Sequence, residues 1–160
     1  MDNLFSLHKG DYVKKKKNTG ICTLCEILNK NECYENLLIY KNKYMAISIN
    51  LYPYNSGHLI IFPKRHICDP RNFNANEQKT INLFTNISLD ILEKNYQPSG
   101  FNIGYNIGEF SGASIKHLHL HIIPRYINEL GVIDIIGGAK IIIEDPAKTC
   151  DRLRKAFQNI

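Results

Sequence analysis

His117, His119 and His121 alternate with Leu118, Leu120 and Ile122, placing half of the six histidines of the chain within five residues. Polar and apolar residues in strict alternation read as a β-strand, because successive strand side chains leave on opposite faces. The three imidazoles therefore share one face, and Leu118, Leu120 and Ile122 point into the core. Imidazole is the side chain best suited to work near pH 7 as metal ligand, proton carrier or nucleophile. Strand residues two apart lie about 6.5–7 Å apart at Cα, so His117 and His121 are separated by roughly 13 Å. Two neighbouring rings could reach one metal ion, whereas three could hardly do so without a bulge, so a division of labour is expected. A strand showing polar histidines to water is the plainer alternative, and a third histidine in register weighs against it.

A second group with chemical potential is Cys22-Thr23-Leu24-Cys25, whose C-x-x-C spacing suits two thiolates on one zinc ion or a redox pair. The redox alternative calls for a helix start following a strand, whereas this motif follows a polar tail, so zinc is favoured if two more ligands exist. The five cysteines are an odd number and the N-terminus shows no secretory signal, which argues against a disulfide framework and for a cytoplasmic location. Cys33, Cys68 and Cys150 are expected to be small hydrophobes. His58 opens an apolar run and His66 follows Pro63-Lys64-Arg65, and the weight of each depends on its neighbours in space.

The elements that must position these residues follow from the apolar periodicity. Residues 1–20 form a lysine-rich arm, and residues 21–160 form one domain. Residues 37–49 read as a hairpin turning at Lys41-Asn42-Lys43, and the Pro- and Asn-rich stretch 50–57 as a loop. His58 to Pro63 is a buried strand. Asn74-x-x-Glu77 is a capping box opening a helix to about Lys94, with Ile81, Phe84, Ile87, Ile91 and Leu92 on its inner face. Residues 101–108 alternate as a strand with Phe101, Ile103, Tyr105 and Ile107 on its apolar side. The small-residue loop 108–114 then leads into the histidine strand, where backbone N–H groups could approach an anion. Short β-type runs follow at 132–136 and 140–143, and Asp145-Pro146 opens a last helix through about Gln158.

Composition limits the function classes. Hydrophobic residues make up 44% and charged residues 22% of the chain, an ordinary globular balance, and no apolar run approaches the ~20 residues needed to cross a bilayer. The net charge of +5 gathers at Lys14–Lys17 and at Arg152, Arg154 and Lys155. Such a field would draw in anionic substrates such as nucleotides. Aromatics are not interleaved with the lysine run, which counts against a nucleic-acid partner.

Together, His117-x-His119-x-His121-Ile122-Ile123, Gly57-His58-Leu59-Ile60-Ile61-x-Pro63-Lys64-Arg65-His66 and Cys22-x-x-Cys25 resemble the histidine-triad (HIT) superfamily of nucleotide hydrolases and transferases. Residues 50–59 and Ile135-Ile136-Gly137-Gly138-x-Lys140 look most like its bacterial diadenosine tetraphosphate phosphorylase branch. The resemblance implies an α+β fold, an antiparallel sheet with packed helices, paired as a homodimer. It implies that His119 attacks an α-phosphorus to give a covalent nucleotidyl-histidine, that His58 helps orient it, and that His121 binds phosphate or assists the leaving group. Asn50 matches a ribose contact, and Asn106, Gly112 and Ser114 match phosphate contacts. Ala113 stands where several branches carry glutamine, which sets the chain apart from the fragile-histidine-triad branch. Some members bind zinc with residues matching Cys22, Cys25, His66 and His117, a closed structural site. The expected substrate is a nucleoside 5′-polyphosphate, with a phosphoramidate or a zinc-stabilised binding module without turnover as alternatives. The base, the phosphate-chain length and the acceptor are open.

Overall fold

The computed structural model describes residues 20–127, 129 and 144–158. The basic arm (all but Gly20) and the β-type runs expected at 132–136 and 140–143 lie outside the described residues. Three helices are described, α1 (Thr23–Leu28), α2 (Ala75–Tyr96) and α3 (Pro146–Phe157), with strands β1 (Leu38–Lys41), β2 (Met45–Ile49), β3 (Leu59–Pro63), β4 (Gly100–Tyr105) and β5 (Leu120–Arg125). The strands form one sheet in the order β1-β2-β3-β5-β4, and every neighbouring pair is antiparallel. This is the expected α+β fold.

Strand alternation divides the core into two faces. Met45, Ile47, Ile49, Leu59, Ile61, Leu120 and Ile122 meet Ile81, Phe84 and Leu92 of α2 and Leu153 and Phe157 of α3 on one side. Each fully buried side chain of this kind contributes about 1.5–3 kcal/mol. Ala46, Ile60 and Phe62 point the other way and pack with Leu24 of α1. The residues of β3 and β5 on this second face are those that carry the histidines, with Ile60 directly opposite His121. The large helices thus occupy one face and leave the other for the site.

Helix α2 starts as its sequence predicts: the Asn74 side chain accepts from the Glu77 N–H and the Glu77 carboxylate accepts from the Asn74 N–H, both at 2.9 Å. It ends at Tyr96, where Gln97 takes a left-handed conformation at φ 48°. Asp145 caps α3 by accepting from the Ala147 N–H at 2.7 Å. Much of the second basic group serves structure: Arg154 donates to the Leu38 and Asn36 carbonyls, and Arg152 pairs with Glu144.

Three local expectations differ. Strand β4 stops at Tyr105, and Ile103 and Ile107 are 46% and 47% exposed. As the edge strand, β4 has no described neighbour beyond it, so alternation there does not mean burial. The strand containing the triad begins only at Leu120, so His117 and His119 precede it. Cys33 and Cys68 are exposed, so the small-hydrophobe reading fits only the buried Cys150.

Candidate active site and metal centre

Two segments far apart in sequence build the first cluster. Cys22 caps α1 and Cys25 lies in its first turn, held down by buried Leu24. A Leu118 N–H bond to the Ile67 carbonyl at 2.7 Å ties the segment after β3 to the one before β5, bringing His66 beside His117. Arg65 fixes that segment by gripping the Glu77 carboxylate through Nε at 3.1 Å and Nη2 at 2.8 Å. Sulfur–nitrogen separations are 3.5 Å for Cys22–His117, 3.4 Å for Cys25–His66 and 3.5 Å for Cys25–His117. Metal–sulfur bonds of about 2.3 Å and metal–nitrogen bonds of about 2.0–2.1 Å in a tetrahedron require roughly 3.5–3.6 Å between such donors. All four ligand atoms lie within 4.8 Å of one another, so Cys22, Cys25, His66 and His117 could hold a metal ion. His117 is preset for this. Its Nε2–H donates to the Pro63 carbonyl at 2.7 Å, leaving Nδ1 unprotonated on the sulfur side. Burial pushes its pKa down to about 4, so the ring is neutral.

The second cluster is a cleft on the same face. Asn50, Asn106, Gly112, Ser114, His119 and His121 all line one cleft. All the residues matched above to ribose and phosphate contacts are therefore gathered around two of the triad histidines. His58 stands behind the cavity, fully buried.

Backbone partners fix the proton positions. The Tyr54 N–H can only donate, and it donates to His58 Nδ1 at 3.0 Å. The proton of neutral His58 is therefore on Nε2, which donates to His121 Nδ1 at 3.0 Å. That places the proton of His121 on Nε2, a buried donor with no hydrogen-bond partner among the described residues. Burial above all, and then repulsion from neighbouring imidazoles, hold the pKa of His58 at about 3 and that of His121 at about 4. His119 has the opposite tautomer. Its Nδ1–H donates to the His117 carbonyl at 2.8 Å, so its unprotonated nitrogen is Nε2. The cleft thus contains a nitrogen lone pair on one ring and an N–H on the next, with ring centres 4.7 Å apart. Of the two groups that the resemblance implies for orienting His119, backbone and the upstream histidine, the backbone carbonyl of His117 bonds to it, while His58 bonds to His121.

The loop that delivers the Tyr54 amide is itself anchored. Asn55 donates to the Pro124 carbonyl at 2.8 Å and to Glu129 at 3.0 Å, beyond the end of the β3–β5 pairing. Gly57 adopts φ +80°, and a Cβ there would lie 3.2 Å from Leu92 and 3.3 Å from Pro124. Sequence reasoning singled out neither Tyr54 nor Asn55. Tyr54 stacks on His58 with ring centres 5.2 Å apart and lines the cleft. Its place directly after Pro53 and four residues before His58 is the only signal that could have marked it.

Residues 21–132 match the family described as "Scavenger mRNA decapping enzyme C-term binding". The chain is 36% identical over 109 residues to the "AP-4-A phosphorylase" of Mycobacterium tuberculosis, covering 68% of this chain and 56% of that protein. It is 31% identical over 101 residues to the asymmetrical bis(5′-nucleosyl)-tetraphosphatase of Schizosaccharomyces pombe, covering 62% of this chain and 54% of that one. The chain thus spans little more than half the length of these curated relatives. In fold it is similar to a zinc-bound histidine triad family protein from Mycobacterium smegmatis, at TM-score 0.69 and 19% identity, over 86% of this chain and 94% of that one. No helix among the described residues is long and apolar enough to cross a membrane.

Proposed function

The chain belongs to the histidine-triad family, and on that premise we propose that it cleaves nucleoside 5′-polyphosphates such as diadenosine tetraphosphate through a nucleotidyl-His119 intermediate. The observation that carries this reading is the paired tautomers of His119 and His121, a lone pair beside a donor in one cleft. His119 Nε2 attacks the α-phosphorus. A phosphorus–nitrogen bond forms as the bond to the bridging oxygen breaks, and its electron pair leaves with the departing phosphate. The His121 Nε2–H stabilises charge on the phosphate oxygens or on the departing oxygen, and being neutral and preorganised it needs little rearrangement to do so. In the second step an oxygen of water or of inorganic phosphate attacks the same phosphorus, and His119 recovers its lone pair. Splitting the transfer in two lets a weak nucleophile act on an activated intermediate.

Asn50 is assigned to the ribose hydroxyls, and Asn106, Gly112 and Ser114 to the phosphates. Zinc is assigned to Cys22, Cys25, His66 and His117. Four protein ligands close the site, so the ion would supply structure, joining α1 to the segment that carries His117. A homodimer in the cytoplasm is part of the same reading. The test is incubation with diadenosine tetraphosphate, with and without inorganic phosphate. ADP plus ATP only when phosphate is present marks a phosphorylase, AMP plus ATP marks a hydrolase, and no turnover overturns the substrate assignment.

A further inference from the structure

The proton order of the His58–His121 pair originates in a turn, and the turn is held by residues to which the transfer chemistry assigns no part. Tyr54 presents its N–H from the stretch between Pro53 and Gly57, which a 3.2 Å bond from the His58 N–H to the Asn55 carbonyl closes. Glycine leaves such a turn other conformations to adopt, so the direction of the Tyr54 amide depends on what ties the turn to the sheet. Asn55 is such a tie. It is 5% exposed, and its amide nitrogen donates twice, to the Pro124 carbonyl at 2.8 Å and to the Glu129 carboxylate at 3.0 Å. Both partners can only accept, so the amide has one orientation and an aspartate could not take its place. Pro124 lies three residues beyond His121 on β5. The links therefore close a ring, from the Tyr54 N–H to His58, from His58 to His121, along β5 to Pro124, and back through Asn55 to Tyr54 beside it.

Glu129 secures the outer side of this ring. Its Oε1 also accepts from Arg125 Nε at 2.8 Å and from the Tyr126 N–H at 2.6 Å, and its Oε2 accepts from Arg125 Nη2 at 2.7 Å. A carboxylate held by a bidentate guanidinium and a backbone amide has little freedom to turn, so the acceptor it offers Asn55 is fixed. Tyr126 adds a bond from its hydroxyl to the Ser56 carbonyl at 2.9 Å. Neither Asn55 nor Glu129 is among the residues lining the cleft, so an effect of either on turnover has to pass through the histidines.

We propose that Asn55 is a positioning residue for the cleft, setting through the Tyr54 amide which nitrogen of His121 carries its proton, and that Glu129 holds Asn55 in that setting. The kinetic part of the test rests on the proposed function, and the rest does not. Correlation NMR between ring nitrogens and carbon-bound ring protons, on histidine-labelled protein at pH 7.5 without substrate, reports which nitrogen of each imidazole is protonated. In the wild type His58 and His121 are expected as Nε2–H forms and His119 as the Nδ1–H form. In Asn55→Ala, His58 and His121 are expected to show Nδ1–H forms while His119 keeps its own. Glu129→Ala is expected to give the same change in smaller measure. Glu129→Gln loses the charge that pairs with Arg125 but keeps an oxygen for Asn55, and it is expected to retain the wild-type tautomers. A merely structural ion pair would lower the unfolding midpoint of both Glu129 variants alike and leave the tautomers of both unmoved. With diadenosine tetraphosphate, kcat of Asn55→Ala is expected to be about tenfold lower, with KM within about threefold of the wild type. Wild-type tautomers in Asn55→Ala, or in Glu129→Ala should Asn55→Ala not fold, overturn the proposal, as does an equal shift in Glu129→Gln and Glu129→Ala. Wild-type protein without turnover overturns the substrate reading alone, because the tautomers are read without substrate.

Discussion

His58 Nε2 and His121 Nδ1 share a 3.0 Å hydrogen bond whose direction is set from outside the pair, by the Tyr54 N–H on the far side of the His58 ring. One backbone amide therefore decides which nitrogen of His121 presents a proton to the cleft. In His58→Phe the ring volume is nearly kept but the donor is lost, and His121 is free to take the other tautomer. Steady-state kinetics with diadenosine tetraphosphate should show kcat lower by about 10²–10³-fold, with KM changed much less. An unchanged kcat would remove His58 from the proton arrangement.

The same burial makes stability depend on pH. His58 and His121 titrate near 6.5 when exposed, and the fold holds them at about 3 and about 4. Below pH 6.5 the unfolded chain therefore binds protons that the folded chain does not. The stability of the neutral pair is complete above about pH 6.5 and drains away as pH falls toward those folded values. Thermal unfolding followed from pH 7.5 to 4.5 should show a falling midpoint, with a shallower slope in His58→Phe. A slope identical in the two proteins would assign the acid sensitivity to other groups.

Removal of metal should act on the fold before it acts on the cleft. Cys22→Ala deletes one donor of the four that lie within 4.8 Å of one another. Elemental analysis of the purified protein is expected to find one zinc ion per chain, and none in the variant. A chelator should lower the unfolding midpoint of the wild type to that of Cys22→Ala, consistent with a structural site worth several kcal/mol. A native protein purified without metal, and indifferent to chelator, would end the zinc assignment.

Gly57→Ala tests how tightly the loop is set. At φ +80° a Cβ costs about 1–2 kcal/mol in backbone strain alone, and here it also meets Leu92 and Pro124 at 3.2 and 3.3 Å. Chemical denaturation should report a loss of at least that size. Because His58 is the next residue, kcat should fall as well, and a variant with full stability would show that the loop relaxes freely.

Much of this was legible in the sequence because it rests on local pattern. Alternation around His119 placed Leu120 and Ile122 in the core, and Asn74 with Glu77 marked the start of α2. Cys22 and Cys25 stood out as candidate ligands by their spacing, whereas His66 and His117 joined them only through the family resemblance, since Cys25 and His117 are 92 residues apart and meet in space. Three features left no readable signal. Helix α1 is six residues long, too short for a helical period, and depends on packing Leu24. The exposure of Ile103 and Ile107 depends on the position of β4 at the sheet edge, which is a property of strand order. The alliance of His58 with His121, and of a carbonyl with His119, depends on β3–β5 register and on where a loop amide points.

The central claim is that His119 Nε2 carries the nucleotide between two displacements. It is tested most directly by mixing the enzyme with diadenosine tetraphosphate, quenching in alkali within the first turnover, and locating added mass on peptides spanning the triad. An AMP adduct on His119, absent from His119→Asn protein that still binds the nucleotide, is the predicted result. Normal turnover by the His119→Asn protein, or an adduct on His121 in the wild type, would contradict it.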